Sequence, residues 1–274
     1  MRLFLGLLAS LPLSALHALG TVLGWAMYGM SPTYRRHLRE NLESAGYRDA
    51  SVRRAAIAHA GRAIMEVPAL WFRPQEKVAA LVRQADGVQA AFDAQRAGKG
   101  LVFLTPHLGA FEVAAQYAAQ RIPITVLYRR PKMAWLDPLM REGRARGNLH
   151  LATADSSGVR RLIGALKRGE AVGFLPDQVP GRGEGEWSAF FGKPAYTMTL
   201  AARLAARENV ATFLAFAKRL PAGAGYSLHV KSLDPAYSVN RAIEELVREC
   251  PEQYLWGYNR YKIPSGVAPP PPAS

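Results

Sequence analysis

Short apolar runs at 101–105, 122–128 and 171–175 alternate with stretches of helical period near 109–120, 135–146 and 157–168. Ser156 or Ser157 is placed to cap the last of these helices, and Gly169 follows its end. Strand–helix alternation of this kind predicts an α/β fold with a mainly parallel central sheet and helical crossovers. A helix at 199–208, strands at 210–217 and 226–233 and a helix at 239–249 complete the pattern. The last two strands are spaced for a hairpin across Pro221–Gly225. Upstream, residues 31–95 read as helical: Ser31-Pro32 is a cap followed by proline at the first helical position, and periodic apolar residues continue through Ile57 and Ile64-Met65. Pro68 and Pro74 interrupt that pattern around Trp71-Phe72. The segment after Pro264, with four consecutive prolines, is expected to be disordered.

From Leu3 to Met30 no residue is charged if His17 is neutral. The tract is long enough to span a bilayer, although Pro12, His17 and several Gly and Ser dilute it. A membrane-embedded or interfacial anchor, a cleaved signal peptide and a buried helix all fit such a tract. Continuity with the basic segment carrying Arg35, Arg36 and Arg39 favours the anchor, and those arginines favour a cytoplasmic body.

Charge narrows the partners. The 274 residues carry a formal net charge of +14, which points to nucleic acid, anionic lipid or an acidic protein. No zinc-ligand spacing, basic zipper or RNA-binding aromatic signature is present, so nucleic acid is not expected. The single cysteine, Cys250, excludes an internal disulfide framework. It lies late in a helical pattern beside Pro251, where a structural thiol is the expectation.

Candidate chemistry concentrates where the predicted strands end, the rim on which α/β proteins build sites. The run 101–105 leads into Pro106-His107, and Glu112 follows in a helical pattern. On one helix, residues five apart diverge by about 140°. With His107 in the preceding turn and Glu112 in the first helical turns, the two side chains can converge. The carboxylate would then accept from one imidazole nitrogen and leave the other as a general base. No Ser or Cys adjoins, so the nucleophile is expected to be a substrate hydroxyl. His150–Asp155 and His229–Asp234 repeat the spacing, but their placement favours structural or surface roles.

Two further loops fall at strand ends. Tyr128-Arg129-Arg130-Pro131-Lys132 presents a dense positive cluster, and Arg144 and Arg146 lie on the helix beyond it. Pro176-Asp177-Gln178 runs into a glycine-alternating segment, Gly181 to Glu186, which lacks the Gly-Lys-Ser/Thr ending of a phosphate-binding loop.

These residues resemble the bacterial lipid A biosynthesis (late) acyltransferases, of the glycerolipid acyltransferase-like fold. The resemblance is carried by the hydrophobic N-terminus, His107-x4-Glu112, Tyr128-Arg129 with Pro131, Pro176-Asp177-Gln178 and Gly183-Glu184-Gly185. Phe190-Phe191-Gly192, Pro194-Ala195-Tyr196-Thr197, Pro251-Glu252-Gln253-Tyr254-Leu255-Trp256 and Asn259-Arg260 extend it. It implies an inner-membrane enzyme, facing the cytoplasm, that moves a fatty acyl chain from acyl carrier protein to a lipid A precursor hydroxyl. It implies His107 and Glu112 as a catalytic dyad, and Arg129, Arg144 and Asp177 as binding or orienting residues. Arg129 and Arg144 would engage acceptor phosphates, and a backbone amide near Gly109 or the Arg129 guanidinium would meet the oxyanion. No metal or redox cofactor is required. The implied organisation is an anchor at 1–30, an acyltransferase domain at 31–263 (helical 31–95, α/β 96–263) and a tail at 264–274. The same fold acting on another acceptor, such as a lysophospholipid, glycolipid or ornithine lipid, is a rival expectation. So is a non-catalytic protein that binds lipid at the membrane surface.

Overall fold

A computed structural model describes residues 2–131, 133–234 and 236–271. Helices α1 (Arg2–Ser10), α2 (Leu13–Met30), α3 (Pro32–Ser44), α4 (Ala50–Met65), α5 (Val67–Phe72) and α6 (Gln75–Ala79) come first. Strand β1 (Val82–Asp86), α7 (Val88–Arg96), β2 (Gly100–Leu104), α8 (Phe111–Ala118), β3 (Ile124–Tyr128), α9 (Leu136–Arg144) and β4 (Leu149–Thr153) follow. Then come α10 (Ser156–Lys167), β5 (Ala171–Phe174), β6 (Gly185–Phe190), β7 (Lys193–Met198), α11 (Leu200–Ala205), β8 (Val210–Arg219), β9 (Tyr226–Leu233) and α12 (Val239–Glu249).

Among the described residues, seven strands form one sheet in the order β1-β9-β8-β2-β5-β3-β4. Every neighbouring pair is parallel except β8–β9, the expected hairpin. The central strands β2 and β5 are apolar throughout because helices cover both faces. Side chains alternate accordingly: Val102 and Leu104 join one core cluster with Leu162, Leu166 and Leu246. Leu101 and Phe103 join the other with Ala91, Val113 and Ala114.

The N-terminal tract is not one rod. Helices α1 and α2 are bent by 116° at a short break, and among the described residues no single helix is long and apolar enough to cross a membrane. One face of α2 buries Leu13, Leu16, His17, Gly20 and Gly24, while Leu19, Val22 and Trp25 stay exposed. That buried face meets α4 backbone to backbone. A Cβ on Gly61 would stand 1.9 Å from the Gly20 carbonyl oxygen, and one on Gly24 would stand 2.1 Å from that of Ile57.

Three placements differ from the sequence reading. The region expected to be helical over 31–95 contains β1, whose Arg83, Gln84 and Asp86 hide its strand character; it is an edge strand with polar residues facing water. The glycine-alternating segment leads into the hairpin β6–β7, closed by Phe191 and Gly192, both at positive φ. Phe191 holds that conformation with its amide donating to Glu244 Oε1 at 2.7 Å and its ring against Phe190 and Trp256. The stretch 264–271, expected to be disordered, runs past this hairpin, where Trp187 Nε1 donates to the Ala268 carbonyl at 3.1 Å. Residues 272–274 lie outside the described residues.

Candidate active site

Strand register builds the centre of the site. Leu104 of β2 pairs with Phe174 of β5, and the Thr105 amide extends the ladder to the Phe174 carbonyl at 2.9 Å. Three residues beyond each of these partners lie His107 and Asp177, so two parallel neighbours deliver their loops side by side. The His107 amide donates to Asp177 Oδ2 at 2.8 Å, and the ring Nδ1 lies 2.8 Å from Oδ1. Asp177 is only 2% exposed. Burial alone would raise its carboxyl, but the His107 charge and hydrogen bonds from the His107 ring and amide outweigh it and hold the group below the ordinary carboxylate range. An ionised Asp177 accepts only, so Nδ1 carries the proton. The Nε2 lone pair is left facing the Gln178 side-chain amide, 3.1 Å away. This is the tautomer a general base needs.

The turn carrying His107 is tied on every side. The Leu108 amide donates to Pro106 (2.7 Å), Gly109 to Gln253 (3.1 Å) and Ala110 to Ala217 (2.7 Å), while Leu255 donates to the His107 carbonyl (3.1 Å). Gly109 has φ +59°, and a Cβ there would lie 2.1 Å from the Ala217 carbonyl oxygen, so only glycine fits. These bonds also correct an expectation. The amides of residues 107–110 already have acceptors, so the Gly109 amide is not an idle oxyanion donor.

Glu112 does not accept from the imidazole. It is gripped by Arg144, whose Nε lies 2.9 and 3.0 Å from its two oxygens and whose Nη2 also bonds Oε1. Glu112 occupies the first turn of α8, which presents it to the end of α9 and leaves the ring of His107 to the loop after β5. Burial would lower the Arg144 guanidinium, but Glu112 raises it. The side chain lies over Trp71 at 5.5 Å. Arg144 is therefore a paired cation, not the free phosphate fork expected of it. Arg129 is exposed and meets Glu184 at 3.4 Å, on the rim and outside the residues lining the two cavities described below. Arg146 caps backbone instead, donating to the Arg73 and Leu70 carbonyls at 2.5 and 2.6 Å. Lys132 lies outside the described residues.

The remaining candidates sit elsewhere. His150 is exposed, and Asp155 serves as the N-cap of α10, accepting from the Ser157 and Gly158 amides. His229 stacks on Phe216 at 4.9 Å, with Asp86 its nearest acid. Burial pushes the Cys250 thiol up to about 12, which removes it as a nucleophile. Replacing His150 by alanine should leave turnover within about twofold of wild type. A purified His150→Ala protein without activity but with an unchanged thermal midpoint would move the site.

Two cavities meet here. A groove of about 1790 Å³, open to solvent, has His107, Asp177 and Gln178 on its wall and is otherwise mostly apolar, with Phe4, Leu8 and Trp135 along it. A second, much narrower space runs between the sheet and helices α7 and α8, past Phe92, Phe103, Ala115 and Val126. Phe111, Glu112 and Arg144 line both, so the ion pair stands at their junction. Gly173 lies in the wall of the inner space, where a Cβ would come within 3.0 Å of Val126.

The pairing of His107 with Asp177 had one legible signal. Each apolar run is followed by one residue, then proline, then a titratable side chain, Thr105-Pro106-His107 and Leu175-Pro176-Asp177. Neither segment records that β2 and β5 are neighbours.

Comparison of the sequence with known proteins gives the family. The chain is similar to the lipid A biosynthesis lauroyltransferase of Escherichia coli K12, with 28% identity over 219 residues covering 76% of this chain and 71% of that one. It is similar to the lipid A biosynthesis palmitoleoyltransferase of the same organism, with 28% identity over 273 residues covering 94% and 88%. A lipid A biosynthesis acyltransferase of Haemophilus influenzae shares 26% over 182 residues, covering 62% and 56%. The model of the family described as bacterial lipid A biosynthesis acyltransferase matches residues 2–263, and the chain belongs to that family.

Proposed function

We propose that this protein transfers a fatty acyl chain from the thioester of acyl carrier protein to a hydroxyl of a lipid A precursor, at the cytoplasmic face of the inner membrane. The observation that carries the reading is His107, with Nδ1 on a buried carboxylate and Nε2 facing an apolar groove. In this mechanism the acceptor hydroxyl displaces Gln178 from Nε2 and loses its proton to His107 as its oxygen attacks the thioester carbonyl. Collapse of the tetrahedral intermediate expels the thiolate, which takes the proton back from the imidazolium. Asp177 stabilises that cation, and base assistance of this kind is worth about 10²–10⁴-fold. Glu112 acts here through Arg144, fixing a cation where the two cavities join; this replaces direct contact between Glu112 and the imidazole.

The inner space, narrow and lined by apolar side chains, is read here as the seat of the acyl chain, and the wider groove as that of the acyl-bearing acceptor. Arg129, exposed beside Glu184, would take a phosphate once Glu184 releases it. Phe4 and Trp135 line the groove and are exposed, as are Leu3, Leu7, Val22 and Trp25 of the N-terminal helices and Met133; such side chains suit insertion into the interfacial layer of a bilayer. The net charge of +14 suits both anionic headgroups and an acidic carrier protein.

The test is incubation of the detergent-solubilised protein with acyl carrier thioester and lipid A precursor, read by mass spectrometry. A product heavier by one acyl group supports the reading; acylation of a lysophospholipid and not of the precursor overturns the acceptor. Chain length gives a sharper expectation. Gly173→Ala should lower kcat/KM for the longest accepted chain roughly tenfold and spare shorter ones. Equal loss for all chain lengths would place the acyl chain elsewhere.

A further inference from the structure

Behind the His107 turn lies a second cluster of charged groups, fully buried and untouched by the mechanism above. Glu66, at the junction of α4 and α5, takes Arg219 Nε at 2.9 Å and Nη2 at 2.7 Å, the Tyr226 hydroxyl at 3.1 Å and His17 Nε2 at 3.2 Å. Burial alone would raise its carboxyl, but the Arg219 charge and these bonds hold it down at about 2. Arg219, at the end of β8, is only 3% exposed. Its Nη2 also donates to the Gly109 carbonyl at 2.8 Å. The Gln253 side chain closes both backbone groups of Arg219, at 2.8 and 3.1 Å, and the Gln253 carbonyl accepts the Gly109 amide. Gly109 is thus held through its carbonyl by the guanidinium and through its amide by Gln253, two residues from the imidazole.

Stability does not account for this arrangement. A buried ion pair is commonly no better than apolar residues of similar volume, because both charges lose their water. Here Arg219 Nη1 is also buried without a hydrogen-bond partner among the described residues, which adds a cost.

We propose that Arg219 is a positioning residue. It clamps Gly109 so that His107 meets Asp177 in the reactive geometry, with Glu66 orienting the guanidinium. His17 carries the seating of α2 into the same cluster, so the N-terminal helices and the active-site turn share one buried anchor. The proposal rests on the acyltransferase reading for its kinetic part only.

Two variants test it, Arg219→Lys and the double Glu66→Met/Arg219→Met, which replaces the ion pair by apolar side chains. Each is measured for thermal midpoint, for steady-state kinetics with acyl carrier thioester and lipid A precursor, and for hydrogen–deuterium exchange in the peptide 105–113. The double variant is expected to fold with a lowered midpoint, since Tyr226 and His17 lose their acceptor, to keep both KM values within about twofold, and to lose about 10²-fold in kcat, as misplacement by about 1 Å does. Exchange in 105–113 should rise in the same variant. Wild-type kcat, or a rise in KM with kcat unchanged, overturns the proposal, as does wild-type exchange in the peptide. If the double variant fails to fold, Arg219→Lys decides by the same criteria, since it keeps the charge and loses the fork. A wild-type protein that turns over no thioester counts against the enzymatic reading instead, and the exchange measurement then judges the clamp alone.

Discussion

Asp177→Asn is expected to lower kcat by about 10³–10⁴-fold while the protein folds with an unchanged thermal midpoint, as loss of the orienting acid does in a catalytic triad. The reason is the proton on Nδ1. The buried carboxylate accepts from both the ring and the His107 amide, and this fixes Nε2 as the free base. Asparagine offers one oxygen and an amide donor, so one of those two bonds must go and the ring is free to take the wrong tautomer. His107→Ala should remove activity to at least the same extent. Glu112→Gln should cost less, about 10–10²-fold, because Glu112 contacts Arg144 and acts at one remove. Initial rates with saturating acyl carrier thioester separate these cases. The reverse ranking, with Glu112→Gln inactive and Asp177→Asn active, would show that the ring changes partner when substrate binds.

The second large effect falls on stability. Gly61→Ala should lower stability by about 3 kcal/mol, which is roughly 6–12 °C in thermal midpoint for a chain of this size. The added Cβ would stand 1.9 Å from the Gly20 carbonyl oxygen and within 2.8 Å of two Gly24 backbone atoms. Backbone cannot rotate away as a side chain does, so α2 must lift from α4. Lifting also draws His17 from Glu66 and uncovers Leu13 and Leu16, which are now buried. Gly29→Ala, on α2, meets nothing within 4 Å and should change little, since exposed-face substitutions are usually within 0.5 kcal/mol. Equal midpoints for Gly61→Ala and wild type, in the same detergent, would show that the helices do not pack this way in solution.

How the site differs from its sequence reading follows from where information resides in a chain. Local signals put His107 and Asp177 each at a strand end: an apolar run, then proline, then a titratable residue. Their hydrogen bond is not legible there, because strand order is set by how the crossover helices pack and leaves no mark in either segment. The structure puts β5 between β2 and β3, so the loop after β5 reaches His107 before anything on α8 can. Glu112 is the nearest acid along the chain, so local spacing favours it as the partner. Arg144, thirty-two positions away, takes it instead. The same blindness to distance hid β1, whose polar edge mimics a helix surface, and the cluster of His17, Glu66, Arg219 and Tyr226, drawn from four separate elements.

By itself the sequence determined the α/β class, the β8–β9 hairpin, the strand-end position of His107, the basic character of the chain and the family to which it belongs. Those properties depend on hydrophobic period, turn residues and motif identity, all of which act over a few neighbouring positions. Tertiary structure alone decided which carboxylate faces the imidazole, which cation is already paired, and how the N-terminal helices fold back on α4. Those outcomes depend on packing between elements remote in sequence, where backbone clearance at Gly61 and strand adjacency outweigh any local preference.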